Sequence, residues 1–412
     1  MKYKILILLL LPALLTFSCA EKNNENGDNK IENDPAKPYV VMLSMDGFRW
    51  NYTDRVPTPN FDKIAAKGVK SAVQPCFPTK TFPNHYSIAT GLYPDHHGIV
   101  NNTFYDPKRK SVYKISDRSK VEDGYYYGGE PIWNTAEKQG MRTASYFWVG
   151  SEADIQGMHP SIWKKYDHYF PWKQRADSVI AWLQLPESKR PHLILWYVPE
   201  PDGTGHHFGP QSAEIDKMVM KLDSLLGYFM DELEKIPVAS RVNVIVTSDH
   251  GMEEITHERM LSLKNILKND WYTGAYGGNP VYNIWAKDGF KDSIINALKQ
   301  TGHIQAYDKN TIPSRLHYMK NERCGDVVAV ADSAYGLVYG SIPGITTAGT
   351  HGYDNKNTNM NAMFYAYGPA FKKGYTAPVF QNIDIYNLIA EILGLKAAAN
   401  DGDQDALQLL AE

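Results

Sequence analysis

Four short, continuous apolar runs divide the chain from about residue 38 onwards. They read YVVMLSM at 39–45, LILWYV at 193–198, VNVIVT at 242–247 and AMFYAY at 362–367. Runs of this length that are rich in β-branched residues and lack polar alternation are typical of parallel strands buried on both faces of a sheet. The pattern therefore predicts four buried parallel strands.

Segments with helical character separate these runs. The candidate helices lie at 60–69, 130–140, 212–236 and 383–395, and the third has clear apolar spacing at i, i+3 and i+4. Strands that alternate with helices predict a doubly wound α/β fold with a mostly parallel sheet. Functional sites in such folds lie at the carboxyl ends of the strands.

The pattern changes between about 255 and 345, where it indicates strand, helix, strand and strand. The sheet pattern resumes afterwards, so we interpret this stretch as a small α+β insertion within one catalytic domain at 38–396. Residues 397–412 form a C-terminal tail in this division.

The first residues have the pattern of a targeting segment. A short basic start precedes the apolar stretch ILILLLLPALLTF, which is too short for a comfortable membrane helix. We expect a signal peptide at 1–18, lipidation of Cys19 in a bacterial lipoprotein box, and a flexible tether at 19–37. The alternative is an ordinary secretory signal with an incidental Cys19. Either way we expect export, and lipidation would place the protein in the bacterial cell envelope as a periplasmic or surface lipoprotein.

The composition excludes some classes of binding partner but identifies none. The chain has 412 residues, 43% apolar and 22% charged, with a formal net charge of −3 and no long basic run. These values predict a substantial core and give no evidence of a nucleic-acid-binding surface. The only expected membrane contact is the lipid anchor. Cys76 and Cys324 either pair or remain buried thiols, because sequence does not give their separation.

Acids and histidines recur at the ends of the predicted strands. Carboxylates and neutral imidazoles suit zinc, and six such side chains exceed the four ligands of one tetrahedral ion. They suit two metals roughly 4 Å apart, the arrangement used for in-line displacement at phosphorus. Taken singly, each residue is better explained by a plain turn or a satisfied buried histidine, but turns alone do not explain why histidine recurs at these ends. The set comprises Asp46, Asp202, His206, Asp249, His250 and His351.

The candidate ligands and the residues around them lie in six segments: MDGFRW, FPTKTFPNHYSIATGLYPDHHGIVNNTFYDP, GSEADIQG, EPDGTGHHFGP, TSDHGM and GTHGYDN. In order and spacing they resemble the nucleotide pyrophosphatase/phosphodiesterase (type I phosphodiesterase) family of the alkaline phosphatase superfamily, from about residue 38 to 395. The resemblance implies a sheet of alkaline-phosphatase type and two Zn²⁺ ions. It implies one zinc on Asp202, His206 and His351, and another on Asp46, Asp249 and His250, with Thr81 as exchangeable ligand.

Thr81 is the expected nucleophile. Pro83 fits the first turn of a helix that runs to Gly91, so Thr81 would lie at or near the N-cap, at the positive end of the helix dipole. A bound zinc would then make its hydroxyl usable as an alkoxide. Thr79 is the competing hydroxyl, and a simple N-cap without chemistry is the alternative for Thr81 itself.

The resemblance also implies substrate contacts. Asn102 would donate to a phosphoryl oxygen together with the backbone N–H of Phe82, and Phe82 and Tyr166 would enclose a nucleobase. The alternatives are a loop asparagine, with Asn101 as its neighbour, and ordinary core aromatics.

The expected reaction is a double displacement through a covalent threonyl intermediate. Substrates would be small nucleotide diesters or pyrophosphates, and the product a nucleoside 5′-monophosphate. A phosphomonoesterase, a phospholipid-headgroup phosphodiesterase and a non-catalytic surface binding lipoprotein are the alternatives. A sulfatase would need a modified Cys or Ser in a C/S-x-P-x-R segment, whereas this chain reads T-F-P-N-H.

Overall fold

A computed structural model of the chain describes residues 37–411. The expected signal peptide at 1–18, Cys19 and the tether up to residue 36 lie outside the described residues. Across 37–411, no helix combines the length and the apolar character that crossing a bilayer requires.

The described residues form β-strands and α-helices that alternate along much of the chain. The strands, in chain order, are β1 (Tyr39–Met45), β2 (Val69–Gln74), β3 (Thr103–Asp106), β4 (Ser111–Lys114), β5 (Thr143–Tyr146), β6 (Ile162–Lys164), β7 (Leu193–Val198), β8 (Val242–Thr247), β9 (Glu253–Thr256), β10 (Met260–Ser262), β11 (Tyr272–Gly278), β12 (Val281–Ala286), β13 (Ile304–Tyr307), β14 (Val327–Ala331), β15 (Gly336–Val338), β16 (Thr347–Thr350), β17 (Ala362–Tyr367), β18 (Tyr375–Thr376) and β19 (Phe380–Gln381). The α-helices are α1 (Pro59–Lys67), α2 (Thr81–Thr90), α3 (Pro94–His97), α4 (Arg118–Val121), α5 (Ile132–Lys138), α6 (Trp172–Leu183), α7 (Asp202–Phe208), α8 (Ala213–Leu233), α9 (Leu263–Ile266), α10 (Lys291–Thr301) and α11 (Asp384–Leu393).

The main sheet has the strand order β18-β2-β17-β8-β1-β7-β5-β6, with β19 also beside β2. All four predicted strands are present, as β1, β7, β8 and β17. The prediction that all four are parallel is wrong for the last one, because β17 runs antiparallel to both β8 and β2. The sheet is otherwise parallel, which confirms the mostly parallel α/β class.

The reversed direction of β17 decides where the preceding chain lies. An antiparallel strand begins at the edge where its parallel neighbours end, so the chain before Ala362 approaches the carboxyl ends of β1 and β8. β16 strengthens this arrangement by pairing with β9, with Thr350 opposite Glu253. His351, immediately after β16, is thereby brought beside His250, which precedes β9.

Both faces of the main sheet are covered by helices. Alternate side chains of β1 divide between two cores, with Val40 and Met42 in one and Val41 and Leu43 in the other. Helices α2, α5 and α11 pack on the first face, and α1, α6 and α8 on the second. The two buried layers make the ends of the central strands rigid supports for side chains.

The 255–345 stretch forms its own small sheet. Its antiparallel strand order is β11-β12-β14-β13, and Ile294 and Leu298 of α10 pack on it. Buried Glu253 anchors this unit to the loops beside the site, because its carboxylate accepts hydrogen bonds from Ser333, Asn357 and Asn359. Burial alone would raise the pKa of Glu253, but these three donors lower it.

Residues 397–411 lie against the domain. Ala406 and Leu409 are buried in the first core, and the N–H of Lys372 donates to the carbonyl of Leu409 at 3.0 Å.

The two cysteines within 37–411 are free and buried. The Cys76 thiol donates to Asn382 at 3.1 Å, and the Cys324 thiol contacts Asp95 at 3.5 Å. Each thiol therefore has its own polar partner, and the unpaired alternative is the one that the structure contains.

Candidate active site

Thr81 is the first residue of α2. Lys80 before it is extended, with φ −114° and ψ 154°, and Gly91 ends the helix in the left-handed conformation with φ 66°. The helix thus has the extent that the sequence predicts. The Thr81 hydroxyl lies 3.2 Å from Nε2 of His250, at the positive end of the helix dipole.

A first group of metal-ligand side chains surrounds Asp202. Because α7 begins at Asp202, His206 lies one turn later on the same face, with its Nε2 3.4 Å from Asp202 Oδ1. Nε2 of His351 lies 3.5 Å from the same oxygen. Nδ1 of His206 donates to the carbonyl of Gly349 at 2.8 Å and Nδ1 of His351 to that of Thr79 at 2.9 Å. These bonds put the ring protons on Nδ1, so each Nε2 presents its lone pair.

A second group surrounds His250. Its Nε2 lies 3.1 Å from Asp249 Oδ2 and 3.5 Å from Asp46 Oδ1, and its Nδ1 donates to the carbonyl of Gly251 at 2.8 Å. The rings of His250 and His351 stack with centroids 3.5 Å apart, so the two groups are contiguous. All six predicted ligands therefore lie together at the carboxyl edge of the main sheet.

The donor set fits divalent metal ions. Three buried carboxylate oxygens here have no hydrogen-bond partner: Asp46 Oδ1, Asp202 Oδ1 and Asp249 Oδ2. A buried carboxylate oxygen without a partner is unfavourable unless a cation satisfies it. Three carboxylates and three imidazoles are also the ligand types that zinc prefers.

The pKa shifts of these side chains in the metal-free protein also favour a bound cation. Burial first, and then repulsion from Asp249 and Asp202, raise the pKa of Asp46 well above its usual range. Burial opposes ionisation of Asp249, but the adjacent imidazoles of His250 and His85 hold its pKa well below the usual value. Burial and neighbouring cationic groups, His250 foremost, lower the pKa of His351 and leave it neutral, the state that a metal ligand needs.

Close packing and hydrogen bonds orient the carboxylates. The Tyr197 hydroxyl donates to Asp46 Oδ2 at 2.6 Å, and the N–H of Gly47 donates to Asp249 Oδ1 at 3.1 Å. Gly47 has φ +67°, and a Cβ there would lie 2.9 Å from Cα of Asp202. Only glycine therefore lets β1 turn so close to the start of α7.

A cavity of about 250 Å³ opens beside Thr81. Phe82 and Tyr166, the two aromatic residues expected to enclose a base, both line it, and burial raises the pKa of Tyr166 to about 12, so that its phenol is neutral. An ion pair between Arg118 and Glu152 adds a polar region to the same wall. Further lining side chains are Ile115, Val121, Phe147, Trp148, Tyr197 and His168.

Asn102 and Phe82 differ from the expected pair of parallel donors. The N–H of Phe82 donates to Oδ1 of Asn102 at 2.9 Å, so in this structure it is not free for a phosphoryl oxygen. An unpaired N–H in the first turn of a helix takes the nearest acceptor, which here is the asparagine side chain. The bond directs the Asn102 amide, while Asn101 Oδ1 accepts the N–H of Asn102 at 2.8 Å.

Sequence reasoning missed several side chains of this site. His85 lies inside the α2 segment and Tyr197 inside the apolar run at 193–198, where nothing distinguishes either from a core residue, yet both contact the acids directly. Arg118 also carries no local signal, and Glu152 lies in the segment GSEADIQG, whose individual residues the pattern does not distinguish. These contacts join elements that are distant in the chain, so only the folded arrangement identifies them.

Comparison with known proteins places this site in context. A family model described as type I phosphodiesterase / nucleotide pyrophosphatase matches residues 40–354. A venom phosphodiesterase of Crotalus durissus collilineatus is 39% identical over 385 residues, which cover 90% of this chain and 46% of the relative. Human ectonucleotide pyrophosphatase/phosphodiesterase family member 1 is 37% identical over 387 residues, covering 90% of this chain and 42% of the relative. The chain thus spans about half the length of these curated relatives.

Solved structures agree with the sequence relatives. Human ectonucleotide pyrophosphatase/phosphodiesterase 5 matches with a TM-score of 0.87 and 33% identity over 91% of this chain and 100% of that one. The murine protein, as an inactive threonine-to-alanine variant in complex with AMP, matches with a TM-score of 0.86, 33% identity and the same coverage. These neighbours confirm the α/β fold of alkaline-phosphatase type. From the match over residues 40–354 and these likenesses, we conclude that the chain belongs to the type I phosphodiesterase/nucleotide pyrophosphatase family.

Proposed function

We propose that this chain hydrolyses nucleotide phosphodiester and pyrophosphate bonds, with Thr81 as nucleophile, and releases nucleoside 5′-monophosphates. The observation that carries the proposal is the position of the Thr81 hydroxyl, between a cluster of buried acids and histidines and an aromatic cavity. The residues 38–396 would form the catalytic domain, with 255–345 as its insertion.

A structural relative supports two parts of this proposal, the threonine nucleophile and the nucleoside monophosphate product. The murine neighbour is described as inactive when a threonine is replaced by alanine, and it holds AMP. An essential threonine and a bound nucleoside monophosphate are what a threonyl nucleophile and a 5′-monophosphate product require.

The metal assignment follows the two groups described above. Asp202, His206 and His351 would hold one zinc ion, and Asp46, Asp249, His250 and Thr81 the other. When bound, two zinc ions would supply the charge that makes the Thr81 hydroxyl an alkoxide, stabilises the leaving oxygen and activates the hydrolytic water. The three unpartnered carboxylate oxygens support this assignment.

The chain's own residues would carry out a double displacement. After the Thr81 hydroxyl releases its proton to solvent, Oγ1 forms a bond to phosphorus as the leaving oxygen departs with its bonding electron pair. Water then adds to phosphorus on the side opposite Thr81 and releases a proton to solvent, while Oγ1 departs with its bonding electron pair and is reprotonated. The positive end of α2 would favour the charged Thr81 oxygen throughout.

Asn102 would stabilise the phosphoryl group. Its Oδ1 accepts the N–H of Phe82, which leaves Nδ2 as the donor to a non-bridging oxygen. A single neutral donor suits the one negative charge of a diester better than the extra charge of a monoester, for which an arginine is the usual partner. Phe82 and Tyr166 would enclose the nucleobase by stacking.

Replacement of Thr81 tests the nucleophile. We expect Thr81→Ala to lower kcat/KM for p-nitrophenyl thymidine 5′-monophosphate by at least about 10³-fold, because the atom that attacks phosphorus is gone. Thr81→Ser should retain part of the activity and form a nucleotidyl adduct that mass spectrometry detects after acid quenching. Thr90→Ala, at the other end of α2, is the matched control and should remain active. An active, folded and metal-loaded Thr81→Ala protein would refute the assignment.

Metal removal and substrate choice test the reaction class. We expect two zinc ions per chain by elemental analysis, loss of diester hydrolysis with a chelator, and recovery with zinc. Hydrolysis of p-nitrophenyl phosphate should be much weaker. Preference for the monoester would establish a phosphomonoesterase, and preference for glycerophosphocholine a headgroup phosphodiesterase. A zinc-loaded chain without turnover would be a binding protein.

Truncation of Tyr166 tests the base subsite. Loss of one stacked aromatic ring should raise KM for the thymidine diester about 5- to 150-fold and leave kcat nearly unchanged. Methyl p-nitrophenyl phosphate has no base, so Tyr166→Ala should leave its hydrolysis unaffected. Tyr169→Ala removes a neighbouring ring that is 90% exposed and serves as the control. Equal effects of Tyr166→Ala on both substrates would contradict the subsite.

Export and lipidation at Cys19 are proposed on the amino-terminal pattern alone. In a bacterial host, metabolic labelling with an alkyne analogue of palmitate should label the wild-type chain and the Cys76→Ala variant, but not Cys19→Ser. An unlabelled wild-type chain that is still exported would indicate an ordinary signal peptide.

A further inference from the structure

His85 is a fully buried histidine on α2, one turn after Thr81, with no role in the function proposed above. Its Nε2 lies 2.8 Å from the hydroxyl of Ser44 on β1. Its Nδ1 lies 3.1 Å from the carbonyl oxygen of Thr81 and 3.2 Å from Oδ2 of Asp249, which follows β8. The ring therefore joins the helix that carries Thr81 to the ends of two central strands.

The partners of His85 determine which ring nitrogen carries the proton. A carbonyl and a carboxylate are acceptors only, so a lone pair on Nδ1 would face two oxygens and repel both. Nδ1 must therefore donate. Nε2 then accepts from the Ser44 hydroxyl, which has no other hydrogen-bond partner among the described residues.

The packing around the ring keeps it in this orientation. The edges or faces of Trp148 and Tyr197 contact it with centroids 5.2 Å and 5.3 Å away and interplanar angles of 79°. Nε1 of Trp148 donates to the carbonyl of His85 at 3.0 Å, and the Tyr197 hydroxyl binds Asp46. Trp148 and Tyr197 thus fix the ring, and Tyr197 also orients the neighbouring acid Asp46.

Proximity alone would also allow His85 to be a metal ligand. Asp46, His85 and Asp249 each offer an atom within 4.8 Å of the other two. A ring nitrogen that carries a proton has no free lone pair, however, and Nε2 of His85 is occupied by Ser44. The hydrogen bonds therefore argue against ligation.

We propose that His85 is a positioning residue: its Nδ1–H donates to the Thr81 carbonyl and, 3.2 Å from Asp249 Oδ2, attracts that carboxylate electrostatically, while the Ser44 hydroxyl holds the ring at Nε2. The proposal deepens the function proposed above and rests on it for the roles of Asp249 and Thr81. A carboxylate with one oxygen fixed by Gly47 and the other directed by His85 has little freedom to turn away from a metal.

The chain contains a matched control. His97 is also fully buried, and its Nε2 lies 3.0 Å from the hydroxyl of Ser87. Its Nδ1 accepts the N–H of Ile99 at 3.2 Å, so its proton lies on Nε2, opposite to His85. Among the described residues, no hydrogen bond joins the His97 ring to a proposed metal ligand.

The first test is spectroscopic and independent of turnover. In protein labelled with ¹⁵N-histidine, long-range ¹H–¹⁵N spectra should show the His85 proton on Nδ1 and the His97 proton on Nε2, both with and without zinc. Ser44→Ala should leave the His85 proton on Nδ1 but shift the Nε2 resonance, which loses its hydrogen-bond donor, whereas Ser87→Ala should leave both His85 nitrogens unchanged. A wild-type His85 proton found on Nε2 would overturn the proposal.

The second test measures zinc affinity and kinetics. His85→Leu should weaken zinc binding about 10- to 100-fold in chelator competition, and lower kcat of the zinc-loaded enzyme by a similar factor, as loss of groups that orient ligands does elsewhere. His85→Asn can still donate from its amide and should recover part of both losses. His97→Leu should lower the thermal midpoint without changing zinc affinity or kcat.

These outcomes separate the two proposals. If the zinc-loaded wild type hydrolyses no diester, the proposed function fails while the tautomer and zinc affinity still test His85. If diester hydrolysis is as proposed but His85→Leu matches His97→Leu in zinc affinity and kcat, the positioning role is wrong. Should His85→Leu fail to fold, the same comparison of zinc affinity and kcat is made between Ser44→Ala and Ser87→Ala, each of which removes only one hydroxyl group.

Discussion

The mutual repulsion of three carboxylates at one edge of the sheet, two of them buried and that of Asp202 half-buried, is the constraint on which this structure depends. Asp46, Asp202 and Asp249 each present an oxygen without a hydrogen-bond partner to a shared space. Burying charge in this way is unfavourable without compensation. The imidazoles of His250 and His85 compensate part of it at Asp249, and bound cations would compensate the rest. The protein thereby stores unfavourable electrostatics where metal binding would release them.

The scaffold holds these groups together from elements far apart in the chain. The carboxyl ends of β1 and β8 carry Asp46 and Asp249, while α7 begins with Asp202 close to the Gly47 turn. His351 reaches the same place by a different route, because β16 pairs with β9 directly after His250. Backbone carbonyl oxygens accept hydrogen bonds from the Nδ1–H groups of His206, His250 and His351, so that each Nε2 faces the acids.

Next to this polar cluster, the cavity is mainly aromatic. Phe82, Tyr166, Phe147 and Trp148 form walls that suit a flat ring, and the Arg118–Glu152 pair supplies donors and an acceptor at the same wall. Thr81 lies where the two environments meet. The proposed substrate, a nucleotide with a phosphate at one end and a base at the other, would match this division.

The sequence by itself determined the local features: four apolar strands, the main amphipathic helices, a helix that starts at Thr81, and acids and histidines at strand ends. Each depends on residues close together in the chain, so periodicity and turn chemistry identify it. Only the tertiary structure decided the antiparallel direction of β17, the bond between Phe82 and Asn102, and the contacts of His85 and Tyr197 with the acids. These features pair residues from distant segments or choose among equally available hydrogen-bond partners, and no local pattern in the sequence distinguishes those choices.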